Sequence, residues 1–95
     1  MHVITQARIW EAKRTWPHAA DALDARYRLI RSSEPRDFAQ MKALFSATDK
    51  VGRLHVFDIG GKKLSLISVV QYKYKKIYIQ AIMDHATYDK GKWKG

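Results

Sequence analysis

Apolar residues recur at helical spacing as far as Asp49 and at strand spacing after it. In "TQARIWEAKRTW", Ile9, Ala12 and Trp16 share one helical face, with Thr5 placed to cap the start and Pro17 to stop it. "HAADALDARYRLIRSS" sets Leu23, Tyr27 and Ile30 on one face and most of its charges on the other, so it reads as an amphipathic helix closed by Pro35. "RDFAQMKALF" gives a third, short helix with Asp37 as N-cap and Phe38, Met41 and Phe45 inward. Beyond Asp49, "LHVFDI" and "KKLSLISVVQY" are β-branched and aromatic, and "GG" at Gly60 and Gly61 between them is a two-residue hairpin signal. The second arm is apolar on both faces, as a central strand is. "KYKK" turns the chain into "IYIQAIM", where strict alternation puts Ile77, Ile79, Ala81 and Met83 on one face and Tyr78, Gln80 and Ile82 on the other. Asp84 then caps a final helical turn through "HATYDK", and "MHVIT" at the start reads as an edge strand. The expected fold class is α+β: an antiparallel sheet with the N-terminal helices packed on one face and a short C-terminal helix.

A chain of 95 residues suits one compact domain, 1–95, and its 46% hydrophobic content is enough for a modest core. The absence of cysteine excludes a disulfide framework and a thiolate metal site. No HExxH or comparable ligand spacing occurs, and His2 and His18 are isolated, so no metal and no cofactor are expected. No apolar run approaches the roughly 20 residues of a membrane span, and "MHVITQARIWEAKR" lacks the apolar core of a signal peptide. A soluble, cytoplasmic protein with no membrane partner is expected. Its net charge of +9 is uneven. Up to Asp49, eight basic residues face six acidic ones; from Lys50 onward, ten face only Asp58, Asp84 and Asp89. A positive field confined to the C-terminal half points to a polyanion as partner. The plain alternative is a lysine-rich face kept for solubility.

Order and spacing together carry a resemblance. The stretch "VFDIGGKKLSLISVVQYKYKKIYIQAIMDHATYDKGKW" resembles HigB-type toxins of the RelE superfamily, most specifically in "VFDIGG", "YKYKKIYI" and "HATYD", and "MHVIT" is similar to the usual start of that group. The similarity covers nearly the whole chain and is strongest from Val56 to Trp93. It implies a microbial-RNase-like fold and endonucleolytic cleavage of mRNA, typically in the ribosomal A site. It also implies inhibition by a cognate HigA-like antitoxin carrying a helix-turn-helix domain, with DNA reached only through that complex. Two positions depart from the family pattern: Ser65 stands where an arginine is usual, and Gln80 where a basic residue is frequent. If the missing arginine weakens the hold on phosphate, Ser65→Arg raises the cleavage rate; Lys62, Lys63, Arg53 or Lys90 can supply the charge instead, though a lysine lacks the bidentate fork.

Metal-free RNA cleavage needs a base for the 2′-hydroxyl, cations for the phosphate and an acid for the leaving 5′-oxygen. His85 has the right ordinary pKa for either proton role. Tyr88 and Asp89 follow at helical spacing, the first to donate to phosphate or stack on a base, the second to hold the imidazole tautomer. Lys62, Lys63 and Lys90 are the expected phosphate clamps, with Lys63 counted in the catalytic group. Arg53, Lys73, Lys75, Lys76 and Lys92 complete the expected nucleic-acid surface. Each feature has a plain reading beside it. His85 can be an exposed helix-start residue, Tyr88 can pack on the sheet edge, and Asp89 can pair with Lys92. His55 reads as a packed strand residue. Tyr72, Tyr74 and Tyr78 interleave with lysines as in a nucleic-acid platform, or as cross-strand pairs of an ordinary hairpin. Trp10 and Trp16 suit the core or the antitoxin interface. An mRNA endonuclease is the leading expectation. A non-catalytic RNA- or ribosome-binding module of the same fold is the alternative, and a DNA-binding regulator is the weakest, since Pro17 and Pro35 bracket a single helix.

Overall fold

The computed structural model describes residues 1–61, 63–91 and 93. The change of period becomes a change of structure. First come β1 (His2–Ile4), α1 (Ala7–Thr15), a 3-10 turn at Pro17–Ala19, α2 (Ala20–Ser32) and α3 (Phe38–Leu44). Then follow β2 (Thr48–Val51), β3 (Leu54–Ile59), β4 (Leu64–Gln71), β5 (Lys76–Asp84) and α4 (His85–Asp89). One sheet holds all five strands in the order β1-β5-β4-β3-β2. Neighbours from β2 to β5 are antiparallel, whereas β1 runs parallel to β5, so the sheet is mixed. A parallel pair cannot be closed by a hairpin; here the helices and the other three strands lie between its two members. The class is the expected α+β.

Apolar stripes on the helices meet one face of the sheet. Ile9 and Ala12 of α1, Leu23 and Ile30 of α2, and Met41 of α3 are buried, with Phe45 just after α3. They pack with Phe57, Ile59, Leu64, Leu66, Ile77 and Ile79 in one cluster, against which Trp16, Tyr27 and Ile82 also rest. Phe45 meets Phe57 edge to face at 5.7 Å. The Arg26 guanidinium lies 4.8 Å from the Phe45 ring centre and donates to the Asp58 carbonyl. Trp10 is 51% exposed and is not a core residue.

Four local readings of the sequence resolve differently. Thr5 does not cap α1; Gln6 stands at the N-cap without a side-chain bond. The Thr5 hydroxyl instead accepts from the Ile79 N–H at 3.0 Å and donates to the Ile79 carbonyl at 2.7 Å. The β1–β5 ladder ends at Ile4 and Tyr78, so these Ile79 groups would otherwise lose their partners. Strand β2 was not legible, because "TDKV" is short and polar. Its two-residue turn falls at Gly52 and Arg53, since Val51 faces Leu54, and Gly52 takes a φ of +61° there without steric cost. At Gly60 and Gly61 the connection is longer and spans positions 60–63, since Ile59 faces Leu64. Finally, β5 carries a bulge: Ile67 faces Ala81 and Ser68 faces Ile79, so Gln80 has no opposite residue. The extra residue shifts the alternation. Ile77 and Ile79 face the helices as expected, but beyond the bulge Ile82 does so. Ala81 and Met83 turn to the outer face, opposite Ile67 and Ser65.

Candidate active site

Asp84 ends β5 in an extended conformation and accepts the Thr87 N–H at 2.8 Å, which caps α4 as the sequence suggested. Hydrogen bonds from Thr87 hold the Asp84 carboxyl below its usual range, with nearby Lys90 adding to the effect. The cap fixes the start of a five-residue helix that presents three of the expected side chains. His85 and Asp89 are one turn apart, with Nε2 3.1 Å from Oδ2 and both side chains more than half exposed (54% and 60%). A carboxylate at Nε2 selects the tautomer with its proton there and leaves Nδ1 as the basic atom. Asp89 therefore pairs with His85; its other expected partner, Lys92, lies outside the described residues.

Tyr88 stands on the same helix as these residues. Its ring is near-parallel to the His85 ring, 6.4 Å away and tilted by 23°. Burial pushes its phenol up, and the charges of Asp49, Asp58 and Asp89 push it further, so Tyr88 is neutral and a donor at ordinary pH. Asp49 has Lys42 at 3.8 Å and Asp58 has Arg26 beside it, so cations partly offset these carboxylates. Trp93 belongs to the same group, although no role was read for it from the sequence. Its ring stacks on Tyr88 at 4.8 Å and 15°, and its indole N–H donates to the Tyr88 carbonyl at 2.8 Å. The available signal was Gly91, which has a φ of +72° and lets the chain double back.

The expected cations divide between two ends of the sheet. Lys63 directly precedes Leu64, which faces Asp84, and so flanks the His85 end. Lys90 follows α4 and acts on Asp84. Arg53, Lys73, Lys75 and Lys76 lie at the other end, where Leu54, Val69 and Tyr78 face one another. At about 3.3 Å per strand residue, the nine residues of β5 separate the ends by on the order of 26 Å. Lys75 there lies 3.4 Å from Glu34, and Lys73 sits over the Tyr74 ring. Lys62 and Lys92 fall outside the described residues. The three tyrosines do not form one platform: Tyr74 is exposed, Tyr78 is on the outer face opposite Val69, and Tyr72 turns inward to His55.

His55 is packed, as read, and is only 3% exposed. Its Nε2 is 2.6 Å from the Tyr72 hydroxyl, and Phe38 meets its ring edge-on at 5.3 Å. Burial lowers its pKa, and Lys50 lowers it further. Ser65 is 2% exposed, between Asp58 and Met83 on the outer face. A larger side chain at that position must displace what covers Ser65.

Comparison with known proteins shows the family. Residues 19–91 match the model of a family described as HigB toxin, RelE-like toxic component of a toxin–antitoxin system. An "mRNA interferase HigB" of Escherichia coli O6:H1 is 31% identical over 93 residues, covering 95% of this chain and 90% of that protein. An "mRNA interferase toxin HigB" of Escherichia coli K12 and an "mRNA interferase HigB" of Shigella flexneri are each 30% identical, over 94% of this chain and 88% of theirs. The chain belongs to the HigB family of RelE-like toxins.

Proposed function

We propose that the protein is the mRNA endonuclease of a type II toxin–antitoxin pair, acting as a single domain over residues 1–95 in the cytoplasm. It cuts mRNA on the translating ribosome and is neutralised by a HigA-like helix-turn-helix antitoxin. The observation that carries this reading is the His85–Asp89 pair at 3.1 Å on a helix that also presents Tyr88. The name mRNA interferase, borne by the relatives, supports the substrate. In the proposed reaction Asp89 holds the proton on Nε2 of His85, and Nδ1 takes the proton of the 2′-hydroxyl. The 2′-oxygen bonds to phosphorus as the bond to the 5′-oxygen breaks. Neutral Tyr88 gives its proton to the leaving 5′-oxygen, which is far more basic than a phenolate, and recovers it from the imidazolium through solvent. Lys63 and Lys90 hold the phosphate as its charge builds. The products are a 2′,3′-cyclic phosphate and a 5′-hydroxyl, and the step uses no divalent cation.

The non-catalytic module keeps one observation in its favour: Ser65 is buried and Gln80 is uncharged where the family pattern has basic residues. A single assay separates the two. Purified protein on mRNA-programmed ribosomes should give fragments ending in 2′,3′-cyclic phosphate, with the rate unchanged after chelation of metal beyond what the ribosomes need. Protection of the mRNA without fragments would favour the binding module. Activity recovered by a trace of Mn²⁺ or Zn²⁺ would overturn the metal-free step.

A further inference from the structure

We infer that Trp93 is a positioning residue of this site, which fixes Tyr88 through both its ring and its indole N–H. The inference rests on the reading of His85, Tyr88 and Asp89 as the reacting group. Helix α4 has five residues, far fewer than the roughly 12–15 an isolated helix needs to persist in water. Its geometry must therefore be held from outside. Asp84 holds the first turn. At the other end, the Gly91 N–H bonds to the Tyr88 carbonyl at 3.0 Å, and the left-handed Gly91 reverses the chain. That reversal returns Trp93 to Tyr88, where one residue meets both main chain and side chain: 2.8 Å to the carbonyl and 4.8 Å between rings. Among the described residues Trp93 lies outside the apolar cluster that holds helices to sheet, and the two contacts above join it to α4. A tyrosine ring free to rotate about its two side-chain torsions would spend little time beside His85, and a misplacement of about 1 Å can cost roughly 10²-fold in rate.

The test uses Trp93→Ala, Trp93→Phe and Gly91→Ala in the full chain, each alone and combined with Tyr88→Phe. Cleavage is followed on programmed ribosomes, and the Tyr88 phenol is titrated by ring-carbon NMR. Trp93→Ala should lower kcat by roughly 10–10²-fold with KM little changed. Trp93→Phe, which keeps a ring and loses the N–H, should recover part of that loss. Gly91→Ala, strained at its positive φ, should fall in the same direction. In the Tyr88→Phe background Trp93→Ala should cost little more, because both changes act on one group. The Tyr88 titration in Trp93→Ala should move down toward the ordinary value of 10.0 as the phenol is uncovered. Equal losses in both backgrounds, a change confined to KM, or an unmoved Tyr88 titration would overturn the inference. Full-rate cleavage by His85→Gln would instead overturn the site reading beneath it. If Trp93→Ala melts early, Trp93→Phe and Gly91→Ala carry the same comparison.

Discussion

His55 sits in the core with Nε2 2.6 Å from the Tyr72 hydroxyl, whereas His85 stands at the surface with Nε2 3.1 Å from Asp89. The first is shaped by desolvation, the second by a partner in solvent. Burial lowers the pKa of His55 below its ordinary 6.5, so between the folded value and 6.5 the unfolded chain binds more protons. Stability from this group is then complete above about pH 6.5 and is lost as pH falls through that window. Urea midpoints should therefore drop more between pH 7 and pH 5 in the parent than in His55→Gln; equal drops would remove His55 as the cause. Tyr72, pushed up to about 12 by burial and by Asp37, stays neutral throughout. Ser65 supplies a second residue-scale prediction. From the sequence and its resemblance, Ser65→Arg was expected to speed cleavage. Burial reverses that expectation, and the variant should lose about 1–3 kcal/mol from overpacking, with no gain in rate. A faster enzyme with unchanged melting would show that position 65 does reach the phosphate.

At the scale of elements, α4 depends on its cap. Asp84→Ala should lower cleavage by roughly 10-fold or more through misplacement of His85 and Tyr88, while Asp84→Asn, which still accepts from Thr87, should keep most of the rate. The Thr87 amide resonance should report the lost bond in the first variant only. Equal rates for both would show that the cap does not position the site. The caps at Asp37 and Asp84 were legible because a short acceptor before a helical period is a local signal. So were the inward faces of the three helices, since burial follows spacing. The bulge at Gln80 was not legible: a one-residue insertion leaves composition unchanged and is defined only by the neighbouring strand. Thr5 was misread for the same reason, because its hydroxyl serves Ile79, distant in sequence and next to it in space. Trp93 joins them, since only the turn at Gly91 brings it to Tyr88.

Over the whole molecule, the described cations expected at a nucleic-acid surface are divided by the fold between two ends of one sheet. His85, Tyr88 and Asp89 stand on α4 with Lys90 following it, Lys63 precedes β4 at the same end of the sheet, and Arg53, Lys73, Lys75 and Lys76 lie at the far end. The sequence could identify both groups but not their separation, which follows from strand direction. The account assigns chemistry to the first group and electrostatic holding to the second. Replacing Lys73, Lys75 and Lys76 with alanine should weaken ribosome binding and flatten its salt dependence, with the rate of bound enzyme little changed. The most direct measurement is the complement: His85→Gln, examined for melting, ribosome binding and mRNA cleavage in one preparation. The account predicts parent-like melting, parent-like binding and cleavage lower by roughly 10²–10⁴-fold. A His85→Gln protein that melts normally, binds normally and still cuts at the parent rate would contradict it.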